Sequence, residues 1–112
     1  AAKLVRRAFE GGINYFDTAH IYSDSEEKLG LALADVREKI IISTKTGATN
    51  VEDFWKHLNQ SLTLLKTDYI DIYHLMILIH YCCLYIIVLP FRNHIYMCYF
   101  YHNRLLVVYL FL

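Results

Sequence analysis

The first 75 residues alternate between amphipathic and apolar segments, and these predict the local structure. In residues 2–10 the apolar side chains recur at the spacing of one helical face, which predicts a helix. Gly11 and Gly12 follow, and glycine readily adopts the left-handed conformation that ends a helix. The short apolar run at residues 13–16 then predicts a strand, so the chain opens with a helix and a strand.

A second helix and strand follow the first pair. Asp24 and Glu27 have the spacing of a capping box, which predicts a helix from Asp24 to about residue 35. Glu26 and Glu27 fall in its first turn, where we expect them to interact favourably with the helix dipole. The β-branched run at residues 40–44 is typical of a strand buried on both faces, as in a parallel sheet.

A third helix and strand complete this part of the chain. Apolar side chains at helical spacing predict a helix from about residue 49 to residue 66. Residues 69–75 predict the third strand. Two capping pairs fit the start of the helix equally well: Thr49 with Glu52, or Asn50 with Asp53.

The order of these elements predicts an α/β fold. Three helix–strand units joined by short connections favour a parallel sheet, because crossovers between parallel strands are right-handed and place helices over the sheet. Spacing alone is compatible with part of a (β/α)8 barrel or with a doubly wound sheet.

Polar side chains lie at the ends of the predicted strands. Asp17 follows the first strand, Lys45 follows the second, and His74 lies near the end of the third. The carboxyl ends of the strands carry the chemistry in barrels of this kind. A lone Asp after a strand is most often a helix or turn cap, and a lone Lys is usually a solvated side chain. A catalytic interpretation therefore depends on their occurring together. His20 and His57 belong to no such pattern, and we expect them at the surface.

Charge and cysteine content exclude several classes of function. The formal net charge is zero, which gives no indication of a nucleic-acid partner. The cysteines are Cys82, Cys83 and Cys98, a spacing that suits neither a zinc nor an iron–sulfur site, so we predict no metal. No glycine-rich nucleotide-binding motif and no G-x-S-x-G hydrolase motif occurs in the sequence.

Residues 76–112 differ in composition from the part before them. All eleven Asp and Glu side chains lie between Glu10 and Asp71, and the last segment carries only Arg92 and Arg104 as formal charges. It is apolar and rich in tyrosine, with no clear period, so its structure is left open. One interpretation is an out-of-family continuation, such as read-through into non-coding sequence. A second is contact with a membrane through residues 75–112, and a third is an unusual soluble core.

Several segments in the first 75 residues resemble the aldo-keto reductase family. The match depends on their order and spacing as well as on the residues themselves. The matching segments are Gly12-Ile13-Asn14-Tyr15-Phe16-Asp17-Thr18-Ala19, Tyr22, Ser25-Glu26-x-x-Leu29-Gly30, Ser43-Thr44-Lys45 and Leu62-x-x-Leu65-x-Thr67-Asp68-Tyr69-Ile70-Asp71-Ile72-Tyr73.

The resemblance implies a (β/α)8 barrel that transfers hydride from NADPH to an aldehyde or ketone. The family's catalytic residues are Asp, Tyr, Lys and His, and Asp17, Tyr22 and Lys45 match the first three. Tyr22 would donate a proton to the developing alkoxide. A lysine cation beside a tyrosine favours the phenolate and so eases that transfer, and Asp17 would keep Lys45 charged and oriented.

The fourth catalytic position departs from the family pattern. The family strand ends in His five residues after the position of Asp71, where this chain has Met76. A thioether cannot donate a hydrogen bond to a carbonyl oxygen. His74 lies on the same strand face as Met76 but about 7 Å further back, which makes it a weak substitute.

These observations predict a partial (β/α)8 barrel of about three units over residues 1–75, with an apolar extension over residues 76–112 unlike the family. The family's first strand is expected upstream of Ala1. We expect a cytoplasmic NAD(P)H-dependent reductase fragment that acts on a carbonyl compound, with little activity of its own. The alternative is a non-catalytic fragment that associates with membranes or regulates another protein through its apolar segment.

Overall fold

The structure consists of helices that pack on one sheet. The computed structural model describes residues 1–79, 82–91, 94–101 and 104–110, and the side chains as far as Met76. The helices are α1 (Ala2–Glu10), α2 (Ser25–Leu33) and α3 (Val51–Leu65), with a 3-10 helix (Ala34–Lys39) directly after α2. The strands are β1 (Tyr15–Asp17), β2 (Ile41–Thr46), β3 (Ile72–Ile79), β4 (Cys82–Phe91), β5 (His94–Tyr101) and β6 (Arg104–Leu110).

The six strands form one sheet in chain order. β1 pairs with β2 and β2 with β3 in parallel, whereas β4, β5 and β6 are added as antiparallel strands. α1 packs against α2 and α2 against α3, so the helices lie side by side. A doubly wound sheet carries helices on both faces, whereas this arrangement is that of a partial (β/α)8 barrel. The predicted fold class is therefore confirmed.

The hydrophobic core lies between the parallel strands and the helices. Phe16, Ile42 and Tyr73 point from the sheet into a cluster with apolar side chains of α2 and α3 such as Leu33 and Leu65. Successive strand residues point to opposite faces. The other face, called the inner face below, consequently carries Asp17, Ser43, Lys45, His74 and the apolar residues in register with them.

Helix α3 begins with a predicted side-chain cap, whereas α2 begins without one. Asn50 caps α3 by accepting a hydrogen bond from the Asp53 backbone N–H at 2.8 Å, which decides between the two alternative pairs. Asp24 makes no side-chain cap to α2, so the predicted capping box is wrong. Its carboxylate instead pairs with Lys28 one turn further on, and this ion pair replaces the cap.

The third strand begins later than predicted, because side chains form hydrogen bonds with the residues before it. It also ends later than predicted. The Asp71 carboxylate accepts a hydrogen bond from the Ile42 backbone N–H at 2.8 Å. It also pairs with the buried Arg37 guanidinium at 2.7 Å, and Arg37 donates to the Tyr69 carbonyl. These bonds occupy groups that a strand would use in its ladder. β3 then continues to Ile79 because β4 pairs along it.

The apolar segment forms further strands of the same sheet. Its structure was left open by the sequence pattern, and β4, β5 and β6 extend the sheet beyond β3 through antiparallel pairs. Short apolar runs rich in β-branched and aromatic residues favour strands when a paired neighbour is available. Within the described residues, no helix has both the length and the apolar character needed to cross a membrane.

Gly30 allows α2 and α3 to approach closely. A Cβ atom at this position would overlap the carbonyl oxygen of Leu64 and lie 2.9 Å from the Cα atom of Leu65. Both atoms belong to the backbone of α3, which cannot move aside without displacing the helix. The helix pair that covers the parallel strands therefore depends on the missing side chain.

We expect Gly30→Ala to lower the free energy of unfolding by about 1–3 kcal/mol, the usual cost of overpacking a tight contact. Gly47→Ala is the matched control, because a Cβ atom there would meet nothing within 4 Å. Urea unfolding of both variants measures the difference. Equal stability of the two variants would contradict the close approach of α2 and α3.

Candidate active site

Four polar side chains meet on the inner face, at the carboxyl end of β1, in β2 and near the start of β3. Asp17 is the register partner of Ser43, and Lys45 is the register partner of His74. Ser43 and Lys45 are two residues apart on β2, so they point to the same face. The strand register therefore places these four side chains as neighbours.

Lys45 is held by two hydrogen bonds. Its ammonium group donates to Asp17 Oδ2 at 2.6 Å and to the Thr18 carbonyl oxygen at 2.7 Å. The Lys45 side chain is only 12% exposed, whereas that of Asp17 is 48% exposed. A largely buried ammonium needs a charged partner, and Asp17 provides it while remaining accessible from solvent.

Tyr22 lies in the loop between β1 and α2 and faces Lys45. The Lys45 Nζ atom is 5.3 Å from the centroid of the Tyr22 ring, within the range of a cation–π contact. The Tyr22 backbone N–H donates to the Ala19 carbonyl, and its own carbonyl accepts from the Ser25 N–H. Its side chain is 52% exposed, so the ring is held at the rim of the site and open to solvent.

Ser43 and His74 join this cluster through a hydroxyl group. The Ser43 hydroxyl donates to Asp17 Oδ1 at 2.8 Å, and His74 Nε2 lies 3.0 Å from the same hydroxyl oxygen. The family motif in the sequence included Ser43 without giving it a role, and it gave His74 only a weak one. The signal that could have found them is register, since Ser43 lies opposite Asp17 and His74 lies next to Lys45.

The environment shifts the pKa of two members of the cluster. Partial burial would raise the pKa of Asp17, but hydrogen bonds from Lys45 and Ser43 outweigh it and hold the pKa below its ordinary value. Burial lowers the pKa of His74, an effect that the Lys45 charge adds to and the Asp17 charge opposes. Asp17 is therefore an anion and His74 a neutral imidazole near neutral pH.

Tyr73 is a second tyrosine on these strands, but it faces the helices. Its side chain is 1% exposed and packs at 5.3 Å from the Phe54 ring, measured between centroids. Burial raises the pKa of the Tyr73 phenol to about 12. A buried phenol of this kind stays neutral and cannot reach a substrate on the inner face. Among these two tyrosines, only Tyr22 is placed for proton transfer on that side.

The loop that carries Tyr22 is anchored on the helical side. His20 stacks on His57 with ring centroids 4.3 Å apart, and His57 Nδ1 lies 2.7 Å from the Thr46 hydroxyl. Glu26 is 2% exposed and accepts a hydrogen bond from the Thr44 hydroxyl at 2.6 Å. Glu26 lies in the first turn of α2, as predicted for a dipole partner, and is in addition buried. His20 and His57, expected at the surface, are partly buried because they stack on each other.

Met76 follows His74 by two residues on the same face of β3 and is partly buried. The structure thus brings Asp17, Lys45 and His74 together and places Met76 further along the strand.

Across the described residues, no three His, Cys, Asp or Glu side chains are arranged to hold a metal ion. The cluster offers proton donors and acceptors, together with one cation held in place.

The sequence is similar to those of known proteins. A model described as "Aldo/keto reductase family" matches residues 1–81. The uncharacterized oxidoreductase YqkF of Bacillus subtilis is 39% identical over 90 residues, covering 67% of this chain and 29% of that protein. The NAD/NADP-dependent indole-3-acetaldehyde reductase of Schizosaccharomyces pombe is 38% identical over 72 residues, covering 62% and 25%.

Solved structures share the fold as well as the sequence. MGS-M4, an aldo-keto reductase enzyme from a Medee basin deep-sea metagenome library, superposes with a TM-score of 0.57 and is 39% identical. The alignment covers 64% of this chain and 26% of that one.

The chain spans less than a third of the length of YqkF and of the Schizosaccharomyces pombe reductase, at 29% and 25%. Because the family model matches residues 1–81 of 112, the chain belongs to the aldo/keto reductase family.

Proposed function

We propose that this chain carries the proton-transfer part of an NAD(P)H-dependent carbonyl reductase. The observation that supports this most directly is the Lys45 ammonium group. It is bonded to Asp17 at 2.6 Å and faces the Tyr22 ring at 5.3 Å. An aldehyde or ketone is the substrate class, because a carbonyl that accepts hydride must also accept a proton at its oxygen.

In this proposal Tyr22 is the proton donor. NADPH, when bound, would supply the hydride. The O–H bond of Tyr22 breaks as a new O–H bond forms at the substrate oxygen. Lys45 stabilises the resulting phenolate by its charge. Asp17 orients Lys45 through the hydrogen bond that its Oδ2 accepts. Because Tyr22 is half exposed, solvent can return the proton after each reaction.

The described side chains of the inner face suit proton transfer beside the reacting end of NADPH, but they do not suit its phosphate groups. Along β1, β2 and β3 as far as Met76, the basic side chains on that face are Lys45 and His74, and both belong to the acid–base cluster. Within this described part, no further basic group is available there for the phosphates of a dinucleotide. NADPH is proposed from family membership and from the relative of Schizosaccharomyces pombe whose name includes NAD/NADP.

We further propose that carbonyl reduction by this chain is slow because of Met76. By its position in the family motif, residue 76 would contact the carbonyl oxygen. A thioether is at best a weak hydrogen-bond acceptor and cannot polarise that oxygen. Loss of one such donor typically costs a factor of about 100–1,000 in rate.

We expect Met76→His to accelerate NADPH-dependent reduction of an aromatic aldehyde by about tenfold or more, since it restores a hydrogen-bond donor. The fall in NADPH absorbance on oxidation measures the rate. Met76→Leu is the control, because it changes the side chain without adding a donor. No gain in Met76→His over Met76→Leu would count against the proposal.

In the Met76→His background, we expect Tyr22→Phe and Lys45→Met each to reduce kcat by about 100-fold or more. Phenylalanine has no proton to donate, and methionine has no charge to stabilise a phenolate. Tyr69→Phe is the matched control, because the Tyr69 ring packs against Arg37, whereas Lys45 faces the Tyr22 ring. Retention of the rate in Tyr22→Phe would show that another group donates the proton.

The contribution of the Asp17–Lys45 ion pair to the free energy of unfolding should decrease as the pH falls. The pKa of Asp17 is lowered in the folded chain, so its stabilising effect is fully present above the ordinary value of about 3.9. It is lost as the pH falls through the lowered value. We expect the stability difference between wild type and Asp17→Asn to shrink toward acid, measured by unfolding from about pH 6 to pH 2.

The matched control for this measurement is the same substitution in the Lys45→Met background. There, Asp17 has lost its main hydrogen-bonding cation, so most of the pH-dependent difference should disappear. A difference of the same size and pH dependence with and without Lys45 would rule out the ion pair as its cause.

A further inference from the structure

Ser43 connects Asp17 to His74 on the inner face, and neither Ser43 nor His74 has a role in the reaction proposed above. We propose that His74 is a positioning residue that acts through Ser43 to fix the Asp17 carboxylate. This inference rests on the proposed function, because the orientation of Asp17 matters for catalysis only if Lys45 serves Tyr22.

The direction of the hydrogen bonds follows from the number of available hydrogens. The Ser43 hydroxyl has one hydrogen, and the Asp17 carboxylate can only accept, so that hydrogen lies toward Asp17 Oδ1 at 2.8 Å. The contact of 3.0 Å between Ser43 Oγ and His74 Nε2 then requires a hydrogen on the imidazole nitrogen. His74 therefore donates to Ser43, and Ser43 donates to Asp17.

This chain of bonds holds the carboxylate from the side opposite Lys45. Lys45 binds Oδ2 and Ser43 binds Oδ1, so both oxygens are fixed. The Asp17 side chain is 48% exposed and would otherwise rotate between the site and solvent. Ser43 is fully buried at 0% exposure, and the bond from His74 keeps its hydroxyl directed at Asp17.

His74 fits this role better than that of a donor to the substrate. Its Nε2 hydrogen is used by Ser43, and the residue lies beside Lys45 rather than at the position of Met76. The charged groups that act on His74 are Asp17 of β1 and Lys45 of β2. Since Nε2 carries a hydrogen both in this neutral tautomer and in the imidazolium ion, protonation leaves the bond to Ser43 in place.

The test is the pKa of Asp17, measured by NMR titration of the full chain labelled with 13C at its Asp carboxyl groups. We expect the pKa to rise in Ser43→Ala, which removes the direct donor to Asp17, and in His74→Leu, which removes the donor to Ser43. His74→Gln should give a pKa between those of His74→Leu and the wild type, because its amide can still donate to Ser43 but it lacks the charge of a protonated His74, which also lowers the pKa of Asp17. Thermal unfolding of each variant verifies that it is folded.

The double variant with Ser43→Ala and His74→Leu separates action through Ser43 from a direct effect. His74→Gln combined with Ser43→Ala is the matched partner, because Leu and Gln are both uncharged and differ in their ability to donate a hydrogen bond. If His74 acts through Ser43, the pKa of Asp17 is lower in His74→Gln than in His74→Leu when Ser43 is present, and the two replacements give the same pKa in the Ser43→Ala background. A difference of the same size in both backgrounds would overturn the proposal, as would equal pKa values of the two single variants.

A kinetic readout links the bond to the reaction. In the Met76→His background, we expect His74→Leu to lower kcat by about threefold to tenfold, the range for one net hydrogen bond, and His74→Gln to recover most of it. An unchanged kcat in His74→Leu would overturn the positioning role. The NMR titration does not depend on turnover, so it tests the hydrogen bonds from His74 through Ser43 to Asp17 even if the chain is inactive. A missing rate gain in Met76→His would instead overturn the proposed function.

Discussion

The pairing of the Lys45 ammonium with the Asp17 carboxylate is the interaction on which the rest of the site depends. Lys45 is largely buried, and a buried cation without a partner would cost several kcal/mol. Asp17 accepts its hydrogen bond at 2.6 Å, and the Thr18 carbonyl accepts a second. With the cation fixed in this way, its position relative to the Tyr22 ring is set by the fold rather than by a flexible side chain.

The fold achieves this through the register of its parallel strands. Asp17 ends β1 and Lys45 lies near the end of β2, so their side chains meet at the carboxyl edge of the sheet. The helices cover the opposite face, which leaves the inner face free for polar groups. The close approach of α2 and α3 at Gly30 supports this arrangement from the outside. The hydrophobic core and the proposed acid–base cluster thus lie on different faces of the same strands.

Sequence patterns reveal those parts of this arrangement that depend on local order. Helical spacing and β-branched runs predict the helices and parallel strands, and the parallel order places Asp17 near Lys45. The bond between Ser43 and His74 was not predictable from period or motif, because it depends on the register between β2 and β3. The burial of Glu26 was missed for a similar reason, since its partner Thr44 lies 18 residues away.

In the proposed reaction, Asp17 acts by holding Lys45, so the two residues form one unit. A double-mutant cycle on kcat in the Met76→His background measures this coupling, with Asp17→Asn and Lys45→Met made singly and together. If Asp17 acts by holding Lys45, the double variant should be about as slow as Lys45→Met alone. If the two losses multiply instead, the residues act independently, and the claim that Asp17 works through Lys45 is contradicted.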